Sequence, residues 1–324
     1  MVLFLCAQSS NLDFSLTDNI YNTATKEYDI EFNGEYSAKV NREKFDAFLN
    51  IGLYTPLINN YMLSLPSDFT LQFVPADNDR RTIMTGVYSF ERFFVFQEFR
   101  ENNMIAPGLF IDHKEYANEF LTVKNSLEGR GERFIILDRL SSFKTEGSTK
   151  WMVGLPVGVS LHMFLSAGCK INQDNSKNIR WSFSPLAAVN LFSSIGLSAS
   201  YAYSKTYGDT LEYYIDDSFV DEYYFSESKV ILKATVLLGE NARTVIESSY
   251  SMLDYLPLYH TSEADSLLTG TVETRDDGIL AIKADLKLKN GDRNYYFRFQ
   301  HTKRNSTNAL YSYSGNSFTF GIEF

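Results

Sequence analysis

Between Trp151 and Ile171 every odd-numbered position is apolar: Trp151, Val153, Leu155, Val157, Val159, Leu161, Met163, Leu165, Ala167, Cys169 and Ile171. The positions between them are mostly small or polar, among them Gly154, Gly158, Ser160, His162, Ser166, Gly168 and Lys170, with Met152 and Phe164 as exceptions. A helix with this pattern would carry apolar side chains all round its circumference, whereas an extended strand places them on one face. The run therefore predicts β-structure with one dry side.

The same alternation returns toward the C-terminus. It covers Trp181 to Leu191, Ile195 to Tyr203, Val230 to Leu238 and, less cleanly, Ile246 to Met252. In Leu280, Ile282, Ala284, Leu286 and Leu288 the intervening residues are Lys283, Asp285, Lys287 and Ala281. The first half is harder to read. Phe45 to Leu53 alternates cleanly, Phe69 to Phe73 is a short run, and 104–112, 117–125 and 132–140 are weaker strand candidates. Between Met84 and Phe99 the phase changes near Glu91-Arg92-Phe93-Phe94, as a β-bulge would cause. From residue 44 onward these segments predict about 14 strands. Residues 8–43, with Tyr28, Ile30, Phe32, Tyr36, Ala38 and Val40 in phase, are expected to form either a first strand or a segment lying inside the domain made by 44–324.

The connections add an independent signal. Those near Ser193-Ser194, 239–242 and 290–293 are tight, whereas 206–225, 257–276 and 305–315 are long and polar. Strict alternation of short and long links is the habit of antiparallel up-and-down membrane barrels, and a β-sandwich has no reason to enforce it. At the C-terminus Phe318, Phe320, Ile322 and Phe324 alternate with Thr319, Gly321 and Glu323. This resembles the terminal strand of Gram-negative or spirochaete-like outer-membrane β-barrel proteins of porin type. The resemblance implies an all-β transmembrane barrel in the bacterial outer membrane, inserted by the barrel-assembly machinery, with outer-membrane lipid as its surroundings. It also implies that the row ending at Phe324 is the assembly signal.

Composition narrows the picture further. No window approaches the roughly 18 apolar residues of a membrane-crossing helix, so any crossing is made by strands. The 26 Phe and 21 Tyr are numerous for a water-soluble chain and suit the aromatic girdles of a membrane barrel. A net charge of −10 without a basic stripe excludes nucleic acid as a partner. The two cysteines, Cys6 and Cys169, make neither a disulfide framework nor a metal spacing. Residues 1–7, ending Leu5-Cys6-Ala7, are expected to be the remnant of a signal peptide. The run from 151 to 171 is longer than the 9 to 11 residues that cross a bilayer, so it should project or bend, with Pro156 as a bulge or strand start.

No enzymatic constellation emerges. The histidines, His113, His162, His260 and His301, sit on separate segments, and the best pair, Ser160 with His162, reads as two polar residues on the interior face. Gly129-Arg130-Gly131 is too short for a phosphate loop and reads as a connection. The acidic cluster Asp209, Glu212, Asp216, Asp217, Asp221 and Glu222 lacks the ordered spacing of a calcium loop and reads as a solvated loop. No cofactor and no metal are expected. If the row Leu280 to Leu288 faces lipid, then Lys283, Asp285 and Lys287 face the lumen, and by the same rule Tyr295, Phe297 and Phe299 face lipid while Arg298 and Gln300 face inward, joined by Glu247 and His162 as pore-lining candidates. The expected function is passage of an unidentified small solute through a pore. Two alternatives are a surface-binding protein that uses Tyr213, Tyr214, Tyr223 and Tyr224, and a channel for hydrophobic substrates resembling the fatty-acid-transport barrels.

Phe324 stands at the rim of the lipid-facing row, where loss of one half-wet aromatic contact costs little stability. Phe324→Ser is therefore expected to reduce the amount of protein reaching the outer membrane in cells while leaving the urea midpoint of detergent-refolded protein nearly unchanged. Normal assembly with a strongly lowered midpoint would contradict the targeting role.

Overall fold

The computed structural model describes residues 6–17, 29–42, 45–56, 63–78, 80–94, 103–136, 141–156, 158–173, 175–208, 222–260 and 271–323. Eight strands make one half of the wall: β1 (Cys6–Thr17), β2 (Asp29–Arg42), β3 (Phe45–Pro56), β4 (Ser64–Asp77), β5 (Arg81–Phe94), β6 (Met104–Tyr116), β7 (Leu121–Phe134) and β8 (Ser142–Gly154). The next five are β9 (Val159–Asn172), β10 (Lys177–Phe192), β11 (Ile195–Gly208), β12 (Phe225–Leu237) and β13 (Ala242–Tyr255). A separate small hairpin follows, β14 (Leu258–His260) with β15 (Thr271–Glu273), and the wall resumes with β16 (Asp276–Asn290), β17 (Arg293–Ser306) and β18 (Tyr313–Glu323). Each wall strand pairs antiparallel with its neighbours, and β1 closes on β18 from Asn11↔Glu323 to Thr17↔Ser317.

The barrel has 16 strands, not about 14. Fourteen lie from Phe45 onward, and β1 and β2 add two from the stretch left open between plug and strand. β1 was missed because its apolar row among the described side chains is only Leu12, Phe14 and Leu16, too short for periodicity to register. Residues 1–5 and Phe324 lie outside the described residues; Cys6 and Ala7 open β1.

The run from 151 to 171 is a hairpin rather than one strand. Trp151 opposes Met163 and Val153 opposes Leu161, so odd residues oppose odd residues and the alternation passes through the turn without a change of phase. The turn itself is closed by the Leu155 amide on the Val159 carbonyl at 2.8 Å. Gly158 supplies the left-handed backbone there, at φ 73°. Three other expectations shift. The candidate at 132–140 is not a strand of its own: among its described residues only 132–134 is strand, as the end of β7, and β8 starts beyond it at Ser142. Gly129-Arg130-Gly131 lies within β7, not in a loop. No bulge interrupts β5, whose register against β6 is unbroken from Arg81 to Arg92, and the irregularity falls in β4 between Phe73 and Ala76. What looked like a phase change is mixed occupancy of the two rows, with polar Ser89 and Glu91 in line with outer Phe69 and Leu65 and the aromatic Phe90 opposite inner Asp68.

The two faces differ as the sequence pattern demands. Large apolar side chains stand more than half exposed on the outside, including Val87, Leu127, Leu232 and Phe318 at 53 to 56%. A continuous surface of this kind is tolerated only against lipid. The two ends differ as well. Seven links, 43–44, 78–80, 117–120, 155–158, 193–194, 238–241 and 291–292, contain four residues or fewer and join strands at the end where β1 begins and β18 finishes. Links at the other end run from four residues, 173–176, to twenty, 256–275.

That longest link is fastened by a buried ionic node. Arg275, 1% exposed, donates from Nε and a terminal nitrogen to Asp277 at 2.9 to 3.2 Å. Its guanidinium lies between the rings of Tyr255 and Tyr311, 4.5 and 3.5 Å from their centroids. Arg304 completes the node through Nε to Asp277 at 2.8 Å and a terminal nitrogen to the Tyr255 hydroxyl at 2.9 Å. Removing the carboxylate would leave two guanidiniums in a dry site. Asp277→Ala is expected to cost about 3–5 kcal/mol in urea unfolding in detergent. On the wall, Ile282→Arg should cost about 2–4 kcal/mol if the residue sits near the bilayer midplane. Its neighbour Lys283→Gln should cost less than about 1 kcal/mol, because its ion pair is water-exposed. The reverse ranking of Ile282 and Lys283 would mean that the faces are misassigned.

Candidate functional site

A strand whose odd residues meet lipid must carry its chemistry on the even ones, so register decides which inner side chains meet. On β12, β13 and β16 to β18 the inner row is a mixed-charge network. Asp285 accepts Arg298 Nε at 2.7 Å and lies 3.7 Å from Lys283 Nζ. Lys287 Nζ meets Glu323 at 2.7 Å, and Glu247 lies 3.8 Å from Lys233. Glu247 is directly opposite Lys283, which is directly opposite Gln300. Six of the seven pore-lining candidates therefore sit in one patch. His162 does not join it: it lies on β9, four strands from β13, opposite Met152 and Leu186.

On β1 to β4 the described inner charges are acidic. Asp13 accepts the Tyr296 hydroxyl at 2.9 Å, Asp68 accepts Asn50 at 2.8 Å and Asp46 accepts Gln72 at 3.0 Å. Asp13, Glu35, Asn50, Tyr54 and Asp68 border a recess of about 320 Å³. Sequence reading did not assemble this patch, because its members stand in the half of the chain where the strands were hardest to place.

A third inner region, on β7 to β10 toward the long links, is basic. Arg130 is directly opposite Lys144, and Lys144 directly opposite Lys170. Like charges in opposed positions repel. Glu132 offsets part of this, accepting Arg130 at 2.6 Å and Lys144 at 2.9 Å. Glu128 and Glu146, directly opposite each other on β7 and β8, add carboxylates beside Arg130 and Arg180, and further counter-groups come from the link between β11 and β12, where Glu222–Tyr224 forms a short 3-10 turn. Glu222 pairs with Arg180; the Tyr223 ring lies 5.8 Å from Lys144 Nζ, and the Tyr224 ring 4.5 Å from Lys170 Nζ. Both rings are buried, at 2 and 3% exposure. The close approach requires Gly168, where a Cβ would collide with the Tyr223 hydroxyl. These two tyrosines thus pack on the wall and are not presented to a surface partner; Tyr213 and Tyr214 lie outside the described residues. The even positions of β7 to β10 carried the signal for this row, but only the register brings the cations side by side.

The assembly-signal row is on the outer face. Phe318 stacks on Phe299 at 5.0 Å and Phe320 on Phe297 at 5.1 Å, while Ile322 opposes Leu12 across the closing seam. Phe14 and Leu16 continue that row opposite Phe320 and Phe318.

No family model and no curated protein matches the chain. Solved structures do. The chain is similar to OccAB1 of Acinetobacter baumannii, with TM-score 0.58 and 8% identity over 98% of this chain and 95% of that one. A bacterial polysaccharide outer membrane secretin matches with TM-score 0.57 and 10% identity over 100% and 99% of the two chains. OprD of Pseudomonas aeruginosa matches with TM-score 0.53 and 10% identity over 99% and 98%. At such identities the likeness is one of fold, and the fold is that of bacterial outer-membrane β-barrels.

Proposed function

We propose that the chain forms an outer-membrane pore for passive passage of small hydrophilic solutes, with its short links on the periplasmic side. The observation that carries this reading is the water-exposed charge on the inner wall of a closed 16-strand barrel. Lys287, Arg298, Lys283 and Asp285 are 48, 41, 36 and 30% exposed on that wall. Barrels of 16 to 18 strands are wide enough to hold an aqueous channel. A wall carrying ions in water passes hydrated polar solutes and discourages apolar ones. The acidic side on β1 to β4 and the basic row on β7 to β10 would also impose a field across the lumen, favouring solutes that can align a dipole with it.

The reading as a hydrophobic-substrate channel rested on 14 strands and an N-terminal plug. With 16 strands, and with Cys6–Thr17 and Asp29–Arg42 in the wall, it loses both supports. Passage through such a wall calls for no catalytic group.

Refolded protein added to a planar bilayer is expected to give discrete conductance steps, with neutral solutes of graded size excluded above a sharp limit. Silence at every voltage would exclude the pore. Arg298→Glu should shift permeability toward cations, as read by the reversal potential in a salt gradient, because it removes a wall cation and adds an anion beside Asp285.

A further inference from the structure

The outer face is not equally apolar all round the barrel. On β10, β11, β12 and β16 the outward row crosses the bilayer as Trp181 to Val189, Ile195 to Tyr203, Val230 to Val236 and Leu280 to Leu288, with no Asn, Thr or Gly among its members. β7 and β8 differ. The outward positions of β8 run Phe143, Thr145, Gly147, Thr149 and Trp151, so between two exposed aromatics suited to the two membrane interfaces no large apolar side chain remains. β7 sets Asn125 opposite Thr149, Leu127 opposite Gly147 and Gly129 opposite Thr145.

Lipid tails offer an amide or a hydroxyl no hydrogen bond, so an outward Asn within the apolar band calls for a protein partner. Asn125 is exposed, and apolar Leu121 and Val123 separate it from the short link that starts β7. Among the described residues none bonds the side chains of Asn125, Thr145 or Thr149. The glycines are not required by the wall. A Cβ added at Gly147 would meet only the tip of Leu127, at 4.0 Å, one at Gly129 only the Phe143 ring, at 3.6 Å, and one at Gly131 nothing within 4 Å. Their missing side chains leave sockets beside one knob, Leu127, which is more than half exposed.

We propose that the outward face of β5 to β8, centred on Asn125, Leu127 and Gly147, is the interface with a second copy of this chain, related by a two-fold axis along the membrane normal. Such an axis keeps each residue at its own depth, so Asn125 meets the second copy's Asn125. An amide both donates and accepts, and the hydroxyls of Thr145 and Thr149 do the same, so the face can satisfy its own polar groups. Leu127 of one copy has the glycines of the other as sockets, and a face that carries both knob and socket is complementary to itself, the property of an isologous contact. Thr85 and Ser89 of β5, opposite Ile111 and Pro107 of β6, extend it. Four strands about 4.8 Å apart and about ten residues of about 3.3 Å long present about 600 Å² per copy, or about 1,200 Å² for the pair, the lower bound of a stable interface. The contact rests on the barrel fold and is independent of the pore reading.

The experiment has two arms. In a Cys6→Ser, Cys169→Ala chain, Asn125→Cys oxidised by copper phenanthroline in isolated outer membranes should give a covalent product of twice the chain mass. Leu232→Cys, on the outward face of β12, should stay single under the same treatment. In the second arm, native protein refolded in mild detergent should show twice the chain mass by light scattering. Gly147→Leu should halve it while keeping the heat-modifiable migration of a closed barrel, because the wall has room for the new side chain and the facing copy does not. Asn125→Leu serves the same purpose if Gly147→Leu does not fold, and Ala234→Leu on β12 should leave the mass doubled. No product at 125 would leave the face to lipid and overturn the proposal. Equal product at 125 and 232, a product joined to a different protein, or a mass that Gly147→Leu does not change would overturn it too. Conductance enters none of these outcomes, so their failure leaves the pore reading untouched.

Discussion

Within a bilayer no water is available to a peptide N–H or C=O, so every backbone polar group of a spanning sheet must find its partner in the chain. The seam between β1 and β18 is where this requirement is met last. Its register, Asn11↔Glu323 through Thr17↔Ser317, joins the two ends of the wall. Ser15 and Thr319 hydroxyls meet at 2.7 Å on its inner face, while Phe14 and Leu16 oppose Phe320 and Phe318 on its outer face. Without β1 and β2 the strands β3 and β18 would be bare edges, and the strand number that sets the width of the lumen would fall.

Closure has a second consequence. A wall one strand thick has no packed core, and among the described residues the buried apolar side chains are few and lie mainly at the long-link end, including Phe134, Tyr223, Tyr224 and Tyr255. Stability must come from the backbone ladder, the outer apolar surface in lipid, and the way inner charges settle against one another. Across β16, β17 and β18 Lys283 and Arg298 share Asp285, and Lys287 reaches across β17 to Glu323. Across β7, β8 and β9 the order breaks, and three cations stand abreast. The wall tolerates that row because a carboxylate from β7 and two rings from a distant link cover it.

The mouth therefore holds two kinds of attachment. An ion node between two aromatic rings, dry on all sides, fixes the link before β16 as part of the barrel rim. The turn at Glu222–Tyr224 is attached by two buried rings over ammonium groups, by the Leu256 amide donating to the Tyr224 carbonyl at 2.8 Å and by the Thr206 hydroxyl donating to the adjacent Phe225 carbonyl at 2.8 Å.

Much of this was legible in the chain itself. Period-two alternation identified most of the strands from Phe45 onward, β8 and β9 read as one run being the exception, because in a barrel the two faces meet two different solvents and each residue must suit one of them. The alternation of short and long links fixed the up-and-down order. The shared face of Lys283, Asp285 and Lys287 followed from the apolar row Leu280 to Leu288, and that of Arg298 and Gln300 from Tyr295, Phe297 and Phe299, since parity along a strand is a local property. What periodicity could not deliver was anything that depends on pairing. The hairpin at Leu155–Gly158 was invisible because opposed residues share parity, and polar Ser89 and Glu91 on the outer row of β5 beside the inner Phe90 mimicked a bulge. The basic row, its cover by Tyr223 and Tyr224, and the Arg275–Asp277–Arg304 node join residues from 2 to 79 positions apart. Only the register between strands and the path of the links bring them together, and those are set by closure of the whole sheet.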